Sequence, residues 1–180
     1  MFSRTLAAIL TLAAVNVVAA QETPAMSPEV RRLAYFLGRW QLETVTAQGQ
    51  GTSGTSEKPV TTLQDAEWLD GTWFLLVRRV DSAIPAGSAK LSVIGYDPRA
   101  QSYAADFFIP PDVRLSMTGL VTGSHWTWLS RDGQLRYTIQ VLSPSTYTFQ
   151  FARSRGAVGW QTLAEGKAVK IREAPAAPVR

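Results

Sequence analysis

The chain of 180 residues contains no cysteine and a single histidine, His125. Without thiols there is no disulfide framework, so a domain of this sequence must be held together by packing. The same shortage excludes a Cys/His zinc site. Charge is sparse and scattered. Eighteen Lys and Arg stand against 14 Asp and Glu, a formal +4, and only Arg31-Arg32 and Arg78-Arg79 are adjacent basic pairs. Nucleic-acid footprints gather basic residues into patches or stripes, so no nucleic-acid partner is expected. There is no G-x-S-x-G nucleophile elbow, and no Gly-rich loop runs from a strand into a helix to cradle a phosphate.

One apolar run is present, and it is short. "MFSRTLAAILTLAAVNVVAA" (residues 1–20) has a basic start at Arg4, an apolar stretch from Leu6 to Val18 interrupted by Thr11 and Asn16, and the small-residue end Val18-Ala19-Ala20. This is the pattern of an export signal. About 13 apolar residues fall short of the ~20 that a spanning helix needs; an uncleaved N-terminal anchor is the alternative. No cysteine follows to carry a lipid. The expected location is periplasmic or secreted, with no membrane span after cleavage. Loss of Arg4 leaves 17 basic and 14 acidic residues, or +3. The expected organisation is a signal over 1–20, a polar tether over 21–27, one domain over 28–172 and a flexible tail over 173–180.

"SPEVRRLAYFLGRWQLE" carries helix punctuation. Ser27 can cap, Pro28 suits the first helical position, and Glu29 complements the dipole. Val30, Leu33, Ala34 and Leu37 recur on one helical face, and Gly38 is the expected stop. From Trp40 onward the period changes to two. Alternating segments are separated by Asp70-Gly71, "DPRAQ", Thr122-Gly123-Ser124, Asp132-Gly133, "SPS" and "SRGAVG", with a Gly/Ser/Thr-rich loop over Ala47–Pro59. Roughly ten strands with short connections pair antiparallel and predict a sandwich or barrel; barrel closure removes exposed edges. The expected fold is all-β, a single antiparallel up-and-down barrel of about ten strands with a short N-terminal helix covering one end.

Alternation assigns faces. Trp126 and Trp128, then Tyr137, Ile139 and Val141, then Tyr147, Phe149 and Phe151 form inward rows, joined by Tyr103, Ala105, Phe107 and Ile109. The interior is either filled or leaves an apolar cavity; ten strands leave more room than eight. Candidate ligand-binding residues are therefore Trp126, Trp128, Tyr137, Tyr147, Phe149, Phe151 and Arg153. Counting by twos places Arg153 on the apolar face, where it would anchor an acidic group; at the barrel rim it would instead point to water. Trp40 and Gly38 are the candidate structural plug. His125 falls on the opposite face from Trp126, so a Ser-His-Asp set lacks an inward base. Asp65 and Glu67 share a face and read as solvated charges rather than a catalytic pair. No catalytic residue, metal or cofactor is assigned.

Gly38-Arg39-Trp40, opening the first strand after a short helix, resembles the G-x-W signature of the calycin barrels, the lipocalins and fatty-acid-binding proteins. "LAYFLGRW", "IGYDPRAQSY", "SRDGQLRY" and "GWQTLAEGKAVK", in that order, resemble the secreted bacterial family catalogued as domain of unknown function 1579. The resemblance implies a calycin-like barrel of no established activity, with small apolar molecules as the usual occupants of such cups. It also implies a basic residue from a late strand beside the Trp, for which Lys167, Lys170 and Arg172 are candidates. The more distant haem-binding nitrobindin barrels need an inward His; His125 would be that ligand in a haem-binding barrel, although alternation points it outward. The expected function is that of an exported, non-enzymatic binding protein for a small apolar or amphipathic ligand. A haem-binding barrel, and a filled barrel acting through a protein partner, are the alternatives.

Overall fold

A computed structural model describes residues 26–46, 59–69, 73–81, 90–109 and 111–173. Helix α1 (Pro28–Leu33) starts where the punctuation places it, with the Val30 N–H donating to Ser27 Oγ at 3.2 Å. It is shorter than the periodicity predicts. After Leu33 the chain tightens into a 3-10 turn over Ala34–Phe36. Three residues per turn bring i and i+3 into line, so the buried face is Val30, Leu33 and Phe36, while Ala34 and Leu37 are half-buried. Gly38 then takes a φ of 100°, left-handed backbone that glycine adopts without a Cβ clash. That bend swings the chain into the first strand.

Ten strands follow: β1 (Gly38–Thr46), β2 (Val60–Leu69), β3 (Phe74–Asp81), β4 (Lys90–Asp97), β5 (Ser102–Ile109), β6 (Val113–Thr122), β7 (His125–Ser130), β8 (Leu135–Ser143), β9 (Thr146–Ser154) and β10 (Trp160–Arg172). Each pairs antiparallel with its neighbour in sequence, and β10 pairs with β1, closing an up-and-down barrel. The predicted fold class is the observed one. Asp97 Oδ1 accepts the N–H groups of Arg99 and Ala100, fixing the β4–β5 turn. Asp70-Gly71, most of the Ala47–Pro59 loop, the signal-like segment and all but the first residue of the 173–180 tail lie outside the described residues.

The inner face is dense with aromatic rings. Trp126 and Trp128 stack at 6.2 Å with planes 13° apart, and Tyr103 leans on Trp126 at 4.8 Å. Gly119 on β6 makes this possible, because a Cβ there would lie 2.5 Å from the Trp128 ring. The barrel is therefore largely filled rather than an open cup.

Candidate functional site

The helix-covered end is a plug. Trp40 is fully buried and its Nε1–H donates to the Phe36 carbonyl at 2.8 Å. Its ring lies 4.9 Å from that of Tyr147, and Phe36 meets Trp126 at 5.1 Å. Two hydroxyls tie helix and strands together. Tyr103 donates to the Glu29 carbonyl at 3.0 Å, and Tyr35 is shared between the carbonyls of Ser143 and Thr146. Desolvation pushes the Tyr35 phenol up to about 12, so this tether stays protonated through the physiological range. Of the three basic candidates, Lys170 is the one over Trp40, with Nζ 5.0 Å from the ring centroid. Such a cation over an indole face adds favourable electrostatics.

The other half of the interior differs. A small cavity of about 50 Å3 is lined by Phe36, Leu75, Val77, Ile94, Phe107, Trp128 and Ile139, and by five polar side chains: Gln64, Arg79, Ser92, Tyr137 and Tyr147. That volume suits one or two water-sized groups, since a water occupies ~30 Å3 in the liquid. Gln64 and Ser92 are buried and Arg79 is half-buried. Arg79 Nη2–H donates to Gln64 Oε1 at 2.8 Å. Burial raises the Tyr137 phenol, opposed by the Arg79 guanidinium beside it. Burial raises Tyr147 as well; the neighbouring Tyr137 adds to this, while Arg79 and Gln64 oppose it. Both phenols are thus neutral donors at any physiological pH. Among the described residues that line the cavity there is no carboxylate. One cation surrounded by neutral donors is chemistry for an anionic group, because carboxylate and guanidinium geometries match.

Of the sequence-predicted residues, Trp128, Tyr137 and Tyr147 line this cavity. Trp126 and Phe149 are buried in the core beside it, and Phe151 is half-buried on the same inner face nearer the end opposite the helix. Arg153 does not reach the site. It pairs with Leu135 on the inner-face register, but it is exposed at the rim, beyond a bulge between Thr162 and Ala164 on β10. Of the two readings the sequence leaves open for Arg153, the rim position is the observed one, and the guanidinium that lines the interior cavity is that of Arg79. Arg79 and Gln64 were missed. β3 reads Leu75-Leu76-Val77 without contrast, and all three are buried, so alternation alone does not say whether Arg78 or Arg79 faces inward. Counting by twos from Leu75 and Val77 would have found it.

A larger depression of about 600 Å3 lies on the outer face of β7–β10 and β1, and His125 is on its wall. It is not the better site. Its polar walls, among them Glu43, Gln140, Gln150 and Lys167, are outward strand side chains, and no cluster of metal-ligating side chains forms among the described residues. His125 is exposed there, outside the barrel, as alternation predicts. Asp65 and Glu67 are also outward, paired with Arg39 at 2.6 Å and Arg78 at 2.8 Å.

No family model matches the chain, and no curated protein matches it. Among solved structures it is similar to a redesigned β-barrel, 12% identical, with a TM-score of 0.35, over 78% of this chain and 95% of that one.

Proposed function

We propose that this protein is an exported binding barrel for a small amphipathic acid, held by its head group at Arg79. The observation that carries this reading is the interior guanidinium with Gln64, Ser92, Tyr137 and Tyr147 around one cavity. Burying a cation is unfavourable unless something answers it, and an incoming carboxylate would do so. The cavity takes the head group alone. The apolar body lies toward the end opposite the helix, against Phe107, Leu115, Leu135 and Phe151, which are half-buried inner-face side chains. The size of the polar chamber argues for a short acid over a long lipid. Export is inferred from the signal-like first twenty residues. Lys170 over Trp40 supports a calycin-like ancestry.

The test is native mass spectrometry of the purified protein together with quenching of tryptophan emission, for which Trp128 is the reporter in the cavity wall. Octanoate is expected to bind saturably at one site. No saturable quenching by acids of six to ten carbons, from a folded protein carrying no bound mass, would remove the proposal.

A further inference from the structure

Among the described residues, the end opposite the helix carries a cluster of arginines. The β7–β8 turn and the β9–β10 turn adjoin, joined by the Ser154 N–H donating to the Gln134 carbonyl at 2.8 Å. Together they present Arg131, Arg136, Arg153 and Arg155 against one acid, Asp132. Asp132 is occupied locally, since its Oδ1 accepts from Ser130 Oγ at 2.5 Å and from the Gln134 N–H at 3.0 Å. Among the described residues none of the four arginines is in a salt bridge. Arg155 donates only to the neutral Gln161, and Arg136 lies over the Trp160 ring at 4.3 Å. Three of the four, Arg131, Arg153 and Arg155, are exposed.

Between Arg155 and Trp160 the chain makes a 3-10 turn over Gly156–Val158, closed by the Arg155 N–H to the Gly159 carbonyl at 2.7 Å and the Gly159 N–H to the Gly156 carbonyl at 3.1 Å. Gly156 and Gly159 supply its positive φ angles of 61° and 102°. At its apex Val158 is 89% exposed, and the Trp160 ring behind it is 38% exposed. An apolar apex held by an ordered turn, with arginines outside any salt bridge on the same and the adjoining turn, matches the layering of a bilayer surface. There apolar side chains enter the acyl boundary, Trp rings sit at head-group level, and Arg pairs with phosphate.

We infer that this lip docks the protein onto membranes containing anionic phospholipid, with Val158 and Trp160 entering the interface and Arg131, Arg153 and Arg155 meeting head-group phosphates. Nucleic acid or an acidic protein would use the arginines but gain nothing from Val158. The inference does not depend on the ligand proposed above.

Co-sedimentation of the mature protein with large vesicles tests it. Vesicles of phosphatidylcholine with 30% phosphatidylglycerol are expected to bind at least tenfold more protein than phosphatidylcholine alone, and raising salt from 50 to 500 mM should abolish most of that binding. R131Q/R153Q/R155Q should lose about tenfold. V158D should weaken binding severalfold while its thermal unfolding stays that of the wild type. R31Q/R32Q, on the helix at the opposite end, should bind as wild type. Equal binding to both vesicle types, no binding, or loss with R31Q/R32Q but not with the lip variants would overturn the assignment. So would a V158D protein that binds as wild type, which would leave only a charge effect.

Discussion

The two halves of the barrel are built by one rule and end up with opposite properties. At the helix-covered end the inward positions are mainly aromatic or aliphatic, with the Lys170 ammonium over the Trp40 ring, and the polar tips of Trp40, Tyr35 and Tyr103 each reach a backbone carbonyl. At the other end the inward positions of β2, β3 and β4 include Gln64, Arg79 and Ser92, and a cavity remains. Side-chain alternation places both sets inside, so position alone does not separate plug from site. What separates them is whether each polar atom is answered by the protein's own backbone. The plug is satisfied internally and contributes stability. The other half holds Arg79 among neutral polar side chains, and among the described residues that line its cavity there is no carboxylate.

Mutations should expose this difference. The largest effect is expected at the plug. Trp40→Ala should destabilise the fold by about 3–5 kcal/mol, the range for removing a fully buried aromatic ring, measured by urea titration. A loss under about 1 kcal/mol would mean that Trp40 is not the plug. Next comes Gly119→Ala, whose Cβ would run into the Trp128 ring; overpacking of this kind costs about 1–3 kcal/mol. Unchanged stability there would show that the indole can step aside. Arg79→Met should behave in the reverse sense. It removes the hydrogen bond from Arg79 to Gln64 Oε1, a loss below about 2 kcal/mol, yet it should weaken octanoate binding at least tenfold. A variant that unfolds but binds when folded would invert the comparison.

The smallest effect is electrostatic and lies outside both halves. Hydrogen bonds from Arg39 hold the Asp65 carboxyl below its ordinary range, and the Ser116 hydroxyl does the same for Asp106. A depressed carboxyl contributes stability that is present above its unfolded-state value, near 3.9, and is lost as pH falls through the folded one. Both groups are largely solvated, so screening keeps the contribution small. The urea midpoint should be flat from pH 8 to 5 and decline below about pH 4. A decline beginning near pH 6 would point to a different titrating group.

The fold was legible because its signals are local and redundant. Ser27-Pro28 started the helix, Gly38 turned the chain into the first strand, and turn residues punctuated a two-residue period through β7, β8 and β9. The helix face was misjudged because a 3-10 turn replaced the last α turn and moved Phe36, not Ala34 and Leu37, into the core. The site was only half legible. Trp128, Tyr137 and Tyr147 stood out on strands with strong contrast between faces. Gln64 lay on β2, where Leu63 is exposed and Gln64 buried, the reverse of what hydrophobicity alone suggests. Arg153 illustrates the converse: its register was inward, but it sits where the strand ends at the barrel rim and a bulge has shifted its partner.

The most direct test of the central claim compares octanoate with octanol by quenching of tryptophan emission, in the wild type and in Arg79→Met. The same apolar body is offered with and without the charge. If Arg79 is the anchor, the wild type prefers the acid by at least tenfold, and Arg79→Met, folded to the same extent, loses that preference. Equal affinity of the wild type for acid and alcohol, or an acid preference that survives Arg79→Met, would contradict it.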